Sequence, residues 1–153
     1  MAGTFSQIYL HIVFAVKFRD KLIAKSWEDR LYAYLAAIIN EKGSKPIIIN
    51  GMPDHVHLFI GYRPKTAIPD LVRELKNNSS KFINDQKLLP AKFAWQEGYG
   101  AFSYGQSQID AVYKYIQNQE QHHKQKSFRE EYVALLQRFE IEFDEKYLFD
   151  WME

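Results

Sequence analysis

The sequence predicts an α+β fold in which an antiparallel sheet carries helices packed on one face. Three observations lead there. Apolar residues alternate with a period of two in QIYLHIVFAV and again in HVHLFI, the signature of strands. Between and after them, longer segments place apolar residues at helical spacing. The stretch GMPD, at positions 51–54, then separates two extended runs closely enough for a hairpin.

The first run sets Ile8, Leu10, Ile12, Phe14 and Val16 on one face and Tyr9, His11, Val13 and Ala15 on the other, a well-buried strand. SWEDRLYAYLAAIINEKG follows with Leu31, Leu35, Ile38 and Ile39 on one helical stripe. Ser26 with Asp29 is the expected cap, and Gly43 the stop. PIIING is a short strand, joined through the turn to a strand over 55–62. TAIPDLVRELKNNSSKFIND is helical, with Ile68, Leu71, Val72, Leu75 and Phe82 inward and Arg73 and Lys76 off that stripe.

KFAWQEGYGAFSYG reads as a strand, a bend and a short extended segment. A further helix is expected from Ser107, spaced with Asp110 as a capping box, with Ile109, Val112, Tyr113 and Ile116 as its apolar stripe. Helix resumes around FREEYVALLQRFE, and the aromatic tail YLFDWM is expected to dock on the body. The order strand, helix, strand, strand, helix, strand, helix, helix resembles the split βαβ arrangement of ferredoxin-like and RRM-like domains. A mixed sheet with the last helices arranged differently is the alternative.

A chain of 153 residues suits one domain, spanning 1–153. Its 46% hydrophobic and 25% charged residues describe a folded protein. Cysteine is absent, which excludes disulfides and thiolate chemistry. No run approaches the roughly 20 apolar residues of a membrane span, and the N-terminus lacks a signal-peptide pattern, so a cytoplasmic protein without a membrane partner is expected. The net charge of +1 conceals an asymmetry. Residues 63–92 hold seven Lys/Arg against three Asp/Glu, and residues 128–153 hold three against eight. The basic middle suits a polyanion, or is simply a solvated face.

His55 and His57 in DHVHLFI point the same way from a strand, roughly 6.5–7 Å apart along it. Two such imidazoles either converge on a divalent ion or serve as polar residues on a half-buried strand. Nitrogen donors suit Mn²⁺, whereas Mg²⁺ wants oxygen ligands and water as well. On the helix after Ser107, Ala111, Tyr115, Gln119 and His122 share a face apart from the apolar stripe. Tyr115 offers a phenolic oxygen and Gln119 a carbonyl oxygen, although both also suit a wet helix face. Together with the histidines, a phenolate can attack a phosphodiester and form a phosphotyrosine, a step that consumes no water.

DHVHLFI and YIQNQEQHH together resemble the two signatures of the IS200/IS605-like transposases, single-tyrosine HUH nucleases in which two histidines flank a bulky hydrophobic residue. FSQIYLHIVFAVKFR, LVRELKNNSSKF and WQEGYGAFSY extend the resemblance over most of residues 5–124. It implies His55, His57 and Gln119 as metal ligands, Val56 as the intervening residue and Tyr115 as nucleophile. It also implies Mg²⁺ or Mn²⁺, single-stranded DNA with a hairpin near the element ends, cleavage and rejoining through a covalent 5′-phosphotyrosine, and a homodimer whose active sites are completed in trans.

Around these residues, Glu120 and His122 are candidate auxiliary groups, and His123 is expected at the surface or on DNA. Asp54 either closes the turn or orients a histidine. His11 reaches the same face if its strand neighbours residues 55–60. Arg73, Lys76 and Lys81 are candidate DNA contacts, and Trp95 or Tyr99 is a candidate for base stacking, with core packing the stronger expectation for Trp95. Two other functions compete: a non-catalytic RRM-like binding module, which needs exposed aromatics on its central strands, and a metal-dependent phosphodiesterase, which does not need Tyr115.

Overall fold

The structure, a computed structural model, describes residues 3–144. Its elements run β1 (Ile8–Ala15), α1 (Glu28–Glu41), β2 (Lys45–Met52), β3 (His55–Tyr62), α2 (Ile68–Asp85), β4 (Gly100–Tyr104), α3 (Ile109–Gln117), α4 (Gln119–His122) and α5 (Phe128–Arg138). The tail YLFDWM lies outside the described residues.

All four strands form one antiparallel sheet in the order β2-β3-β1-β4. β1 is central because both of its faces are apolar enough to be covered. Leu10, Ile12 and Phe14 join Val56, Leu58 and Ile60 of β3 in the main core, under α1 and α2. That is the helical layer expected on one face. His11, Val13 and Ala15 face the other way, with His55, His57 and Phe59, because strand residues alternate. On that second face Phe59 packs against Val112 and Ile116 of α3, while Val13, Ala15 and Phe102 pack against Phe128, Tyr132, Leu135 and Leu136 of α5.

Two glycines make this packing possible. Gly51 ends the β2–β3 hairpin so close to the backbone of His55 that a Cβ would collide with its carbonyl oxygen. Gly100 lets α5 approach β4, since a Cβ there would meet the Tyr132 ring at 2.8 Å.

The helix starts differ from the expected caps. α1 begins at Glu28 after an uncapped Trp27, so Ser26 and Asp29 do not close it; Glu28 and Asp29 in its first turn face the positive end of the helix dipole. α3 begins at Ile109, behind a 3-10 turn whose Gln108 Oε1 accepts from the Gly105 N–H, and Ser107 supplies no cap. The helix expected to run on from Ser107 breaks at Asn118, where φ is −97° and ψ 26°. Asn50 of β2 secures that break by donating to the carbonyls of Ile116 at 2.9 Å and Gln117 at 3.3 Å. Tyr113, expected on the apolar stripe of α3, is instead 38% exposed; Val112 and Ile116 form the buried row. Ser127 and Glu130 form the reciprocal capping box that starts α5.

Candidate active site

All five histidines of the chain gather on the second sheet face. β3 projects His55 and His57 from adjacent same-face positions, with ring centroids 5.0 Å apart and both side chains fully buried. β1 lies directly beside β3, pairing Val13 with His57, and this brings His11 Nε2 within 2.7 Å of His57 Nδ1. Asp54, the last turn residue, sets its Oδ1 2.6 Å from His55 Nδ1. Each histidine thus has its Nδ1 engaged and its Nε2 turned inward, the arrangement that orients imidazoles toward an ion.

The break at Asn118 turns Gln119 inward until it is fully buried. Its Oε1 lies 3.2 Å from His55 Nε2, and its Nε2 donates to Glu131 Oε2 at 2.9 Å. Tyr115, one turn earlier, stands edge-on to His57 with ring centroids 5.7 Å apart, and its hydroxyl donates to Glu131. The tyrosine and the histidine pair therefore meet within one chain.

Glu131 is the centre of the cluster, and no motif in the sequence had singled it out. Its Oε1 lies 2.9 Å from His123 Nε2, 3.2 Å from His57 Nε2 and 3.4 Å from His55 Nε2. His122 Nε2 stands 3.6 Å from the other oxygen. A signal did exist: Glu131 falls on the buried stripe of Phe128, Tyr132, Leu135 and Leu136, where an acid is costly unless partnered.

Burial opposes the charge on Glu131, yet His57, His123 and His55 hold its carboxyl well below the usual range. Burial also works against protonation of His55, but Asp54 and Glu131 outweigh it and raise the pKa. For His57 burial dominates and lowers the pKa, and burial lowers that of His11 further, helped by His57. Burial, then the charge of Glu131, push Tyr115 far above an ordinary phenol, so it rests protonated.

His55, His57 and Glu131 each offer an atom within 4.8 Å of the other two, a buried N, N, O donor set that fits a divalent cation. The remaining sequence candidates fall elsewhere. Glu120 is exposed and paired with Lys25 at 3.0 Å. Arg73 and Lys81, on α2, pair with Asp70 and Asp85. Lys76 donates to the carbonyls of Gln96 and Gly98, and burial lowers it to about 8. Trp95 is buried with its Nε1 donating to Ser79, and Tyr99 is 36% exposed. Among the described residues no helix is long and apolar enough to cross a membrane.

The profile of the family described as "Transposase IS200 like" matches residues 4–119. The chain belongs to this family. It is 30% identical over 122 residues to the ISDra2 transposase TnpA of Deinococcus radiodurans, a match covering 76% of this chain and 87% of that protein. A crystal structure described as that of a transposase from Deinococcus radiodurans R1 superposes with a TM-score of 0.63 at 26% identity, over 78% of this chain and 95% of the other. The REP-associated tyrosine transposase bound to a REP hairpin shares the fold, with a TM-score of 0.58 at 11% identity over 80% and 73% of the two chains. The family match ends at Gln119, so this IS200-like chain draws Glu131 from a helix beyond the matched segment.

Proposed function

We propose that this chain is a metal-dependent transposase that cleaves and rejoins single-stranded DNA at insertion-element ends, with Tyr115 as nucleophile. Convergence of Tyr115, Gln119 and the His55–His57 pair on one buried carboxylate, in a chain of the IS200-like family, is the observation that carries this reading. We take His55, His57 and Gln119 as ligands of Mg²⁺ or Mn²⁺, with the buried Glu131 carboxylate as a further donor beside them. A bound divalent ion polarises the scissile phosphate and offsets the charge that develops on its oxygens.

The other steps belong to the protein. Tyr115 attacks phosphorus through its hydroxyl oxygen, and the phenolic proton passes toward Glu131, which already accepts its hydrogen bond. The new O–P bond replaces the bond to the 3′ oxygen, which takes up the proton that Tyr115 released and leaves as a hydroxyl, and the 5′-phosphotyrosine retains the energy needed for rejoining. Asp54 and His11 keep the two imidazoles facing inward. His122, with its ring 5.2 Å from that of Tyr115, is the auxiliary group nearest the nucleophile. Arg73, Lys76 and Lys81 remain proposed contacts for the paired stem of a hairpin, on the α2 side. We read residues 1–153 as one domain, acting in the cytoplasm.

The deciding experiment incubates protein and metal with labelled single-stranded DNA bearing an element-end hairpin and resolves the products under denaturing conditions. A covalent adduct is expected for wild type and for Y113F, and none for Y115F; an adduct that persists in Y115F overturns the reading. Cleavage without any adduct would instead favour a hydrolase. A homodimer with sites completed in trans is tested by mixing inactive H57A and Y115F chains. Recovered adduct formation is expected for the proposed trans dimer, and no recovery would leave each site to the residues of one chain.

A further inference from the structure

His55, His57 and Gln119 are fully buried and Glu131 is 3% exposed, so a polymeric substrate cannot simply lie against them. One cavity reaches the nucleophile. It has a volume of about 280 Å³ and opens between β4, α3 and α5, with Tyr104, Gln108, Ala111 and Tyr115 on its walls and Lys126 and Arg138 among its lining residues. A second, of about 570 Å³, lies on the far side of the α4–α5 connection. It is lined by Arg19, Lys21, Asp54, His123, Lys124 and Lys126. Lys126 lines both, so the two cavities lie on either side of this one cation near the start of α5.

Cations outnumber acids in the lining of the two cavities, with Arg19, Lys21, Lys124, Lys126 and Arg138 against Asp54 and Glu131. Lys21, Lys124, Lys126 and Arg138 are exposed and in no ion pair among the described residues. The acids beside them are committed elsewhere: Asp54 to His55, Glu120 to Lys25, Glu130 to the cap of α5, and Glu131 to the histidines. A row of unpaired cations ending at a narrow cavity with an aromatic wall is what a flexible polyanion with unstacked bases requires.

We propose that the strand to be cleaved runs along Lys21, Lys124 and Lys126 by its phosphates and inserts one unpaired nucleotide into the cavity between α3 and α5, between Tyr104 and Arg138, with the scissile phosphate at Tyr115. The inference rests on the transposase reading and adds to it a path and a nucleotide pocket. Most of both is built from residues 120–138, outside the family-matched segment. Chemistry on a strand at such a pocket calls for a nucleotide drawn out of the stack, which single-stranded DNA supplies at least cost.

The test is fluorescence anisotropy with a labelled, hairpin-free single-stranded oligonucleotide in metal-free buffer, run beside the adduct assay. K124A/K126A is expected to weaken binding and to make the slope of log affinity against log salt shallower by about 1.4, at about 0.7 for each single-strand phosphate that the variant no longer neutralises. The charge-matched control K42A/K92A, outside both cavities, is expected to bind like wild type. A134W, which adds an indole at the lining position Ala134 on α5, is expected to lose adduct formation while keeping the salt-dependent binding. Equal losses in the track and control variants, or none in either, overturn the track; adduct formation by a folded A134W overturns the pocket. If wild type forms the Tyr115 adduct while K124A/K126A binds normally, only this inference fails. If wild type neither binds nor forms an adduct, the transposase reading fails with it.

Discussion

The two faces of one sheet obey opposite rules. On the α1–α2 face, Leu10, Ile12, Phe14, Val56, Leu58 and Ile60 make a core in which any apolar residue of similar volume would serve. On the other face, one residue along each strand, His11, His55 and His57 form a buried polar network closed by Glu131, and each member has its own partner. The same backbone register supports both. Burial stabilises the first face by removing apolar surface from water, whereas on the second it costs energy that only the network offsets.

Breaking each face should therefore give different signatures. E131Q removes the charge that the histidines surround, and loss of one partner in a buried charged cluster costs about 3–5 kcal/mol. Metal-free protein should lose stability by about that much, and Mn²⁺ binding measured by calorimetry should weaken sharply. Retention of wild-type Mn²⁺ affinity by E131Q would show that Glu131 is no ligand. L58A, on the apolar face, should cost about 2–5 kcal/mol in denaturant unfolding through the cavity it leaves. Its Mn²⁺ affinity should match wild type in the folded protein, and a large change would show that the faces are coupled.

The apolar face was legible because periodicity reports it directly: the alternation in β1 and β3 and the stripes of α1 and α2 appear where expected. On the polar face the sequence showed the parts that occur as local patterns, His55 with His57 and Tyr115 with Gln119. It also left open, as conditional, that His11 would join them if its strand neighboured β3, which it does. Glu131 was not read, because its role depends on a contact with β3 made 74 positions away in the chain. The helix break at Asn118 was missed for the same reason, since Asn50, which secures it, lies on β2. The acidic count of the C-terminal part gave no hint that Glu131 turns inward while Glu130, Glu140, Glu142 and Asp144 stay exposed.

A smaller perturbation separates orientation from ligation. Asp54 touches no candidate metal-binding nitrogen, only the far nitrogen of His55, so D54N should keep the site assembled and loosen the imidazole. Loss of such a partner typically costs 10–100-fold in metal affinity, about 1.4–2.7 kcal/mol. Calorimetry should show that loss for folded D54N, together with a lower metal-free unfolding midpoint because the Asp54–His55 pair also stabilises the fold. An unchanged affinity would remove Asp54 from the mechanism.

The smallest effect is the pH dependence of the metal-free protein, and its sign follows from burial. His11 and His57 have folded-state pKa values below the ordinary 6.5, so the unfolded chain binds more protons and stability falls as pH drops through about 6.5. His55 is raised and acts oppositely: its contribution is full below 6.5 and is lost as pH rises through its folded pKa. Glu131 and Asp54 are depressed, so their contributions hold above the ordinary carboxylate range and are lost below it. Three lowered imidazoles, the partly exposed His122 among them, against one raised leave a net decline between pH 6.5 and the carboxylate range, with each uncompensated proton worth about 1.4 kcal/mol per pH unit. H11Q retains a polar side chain beside His57 without titrating, so it should flatten this decline by up to one proton's slope in urea unfolding at stepped pH. The apolar face has no group that titrates in this window, and L58A should shift the whole curve down without changing its shape.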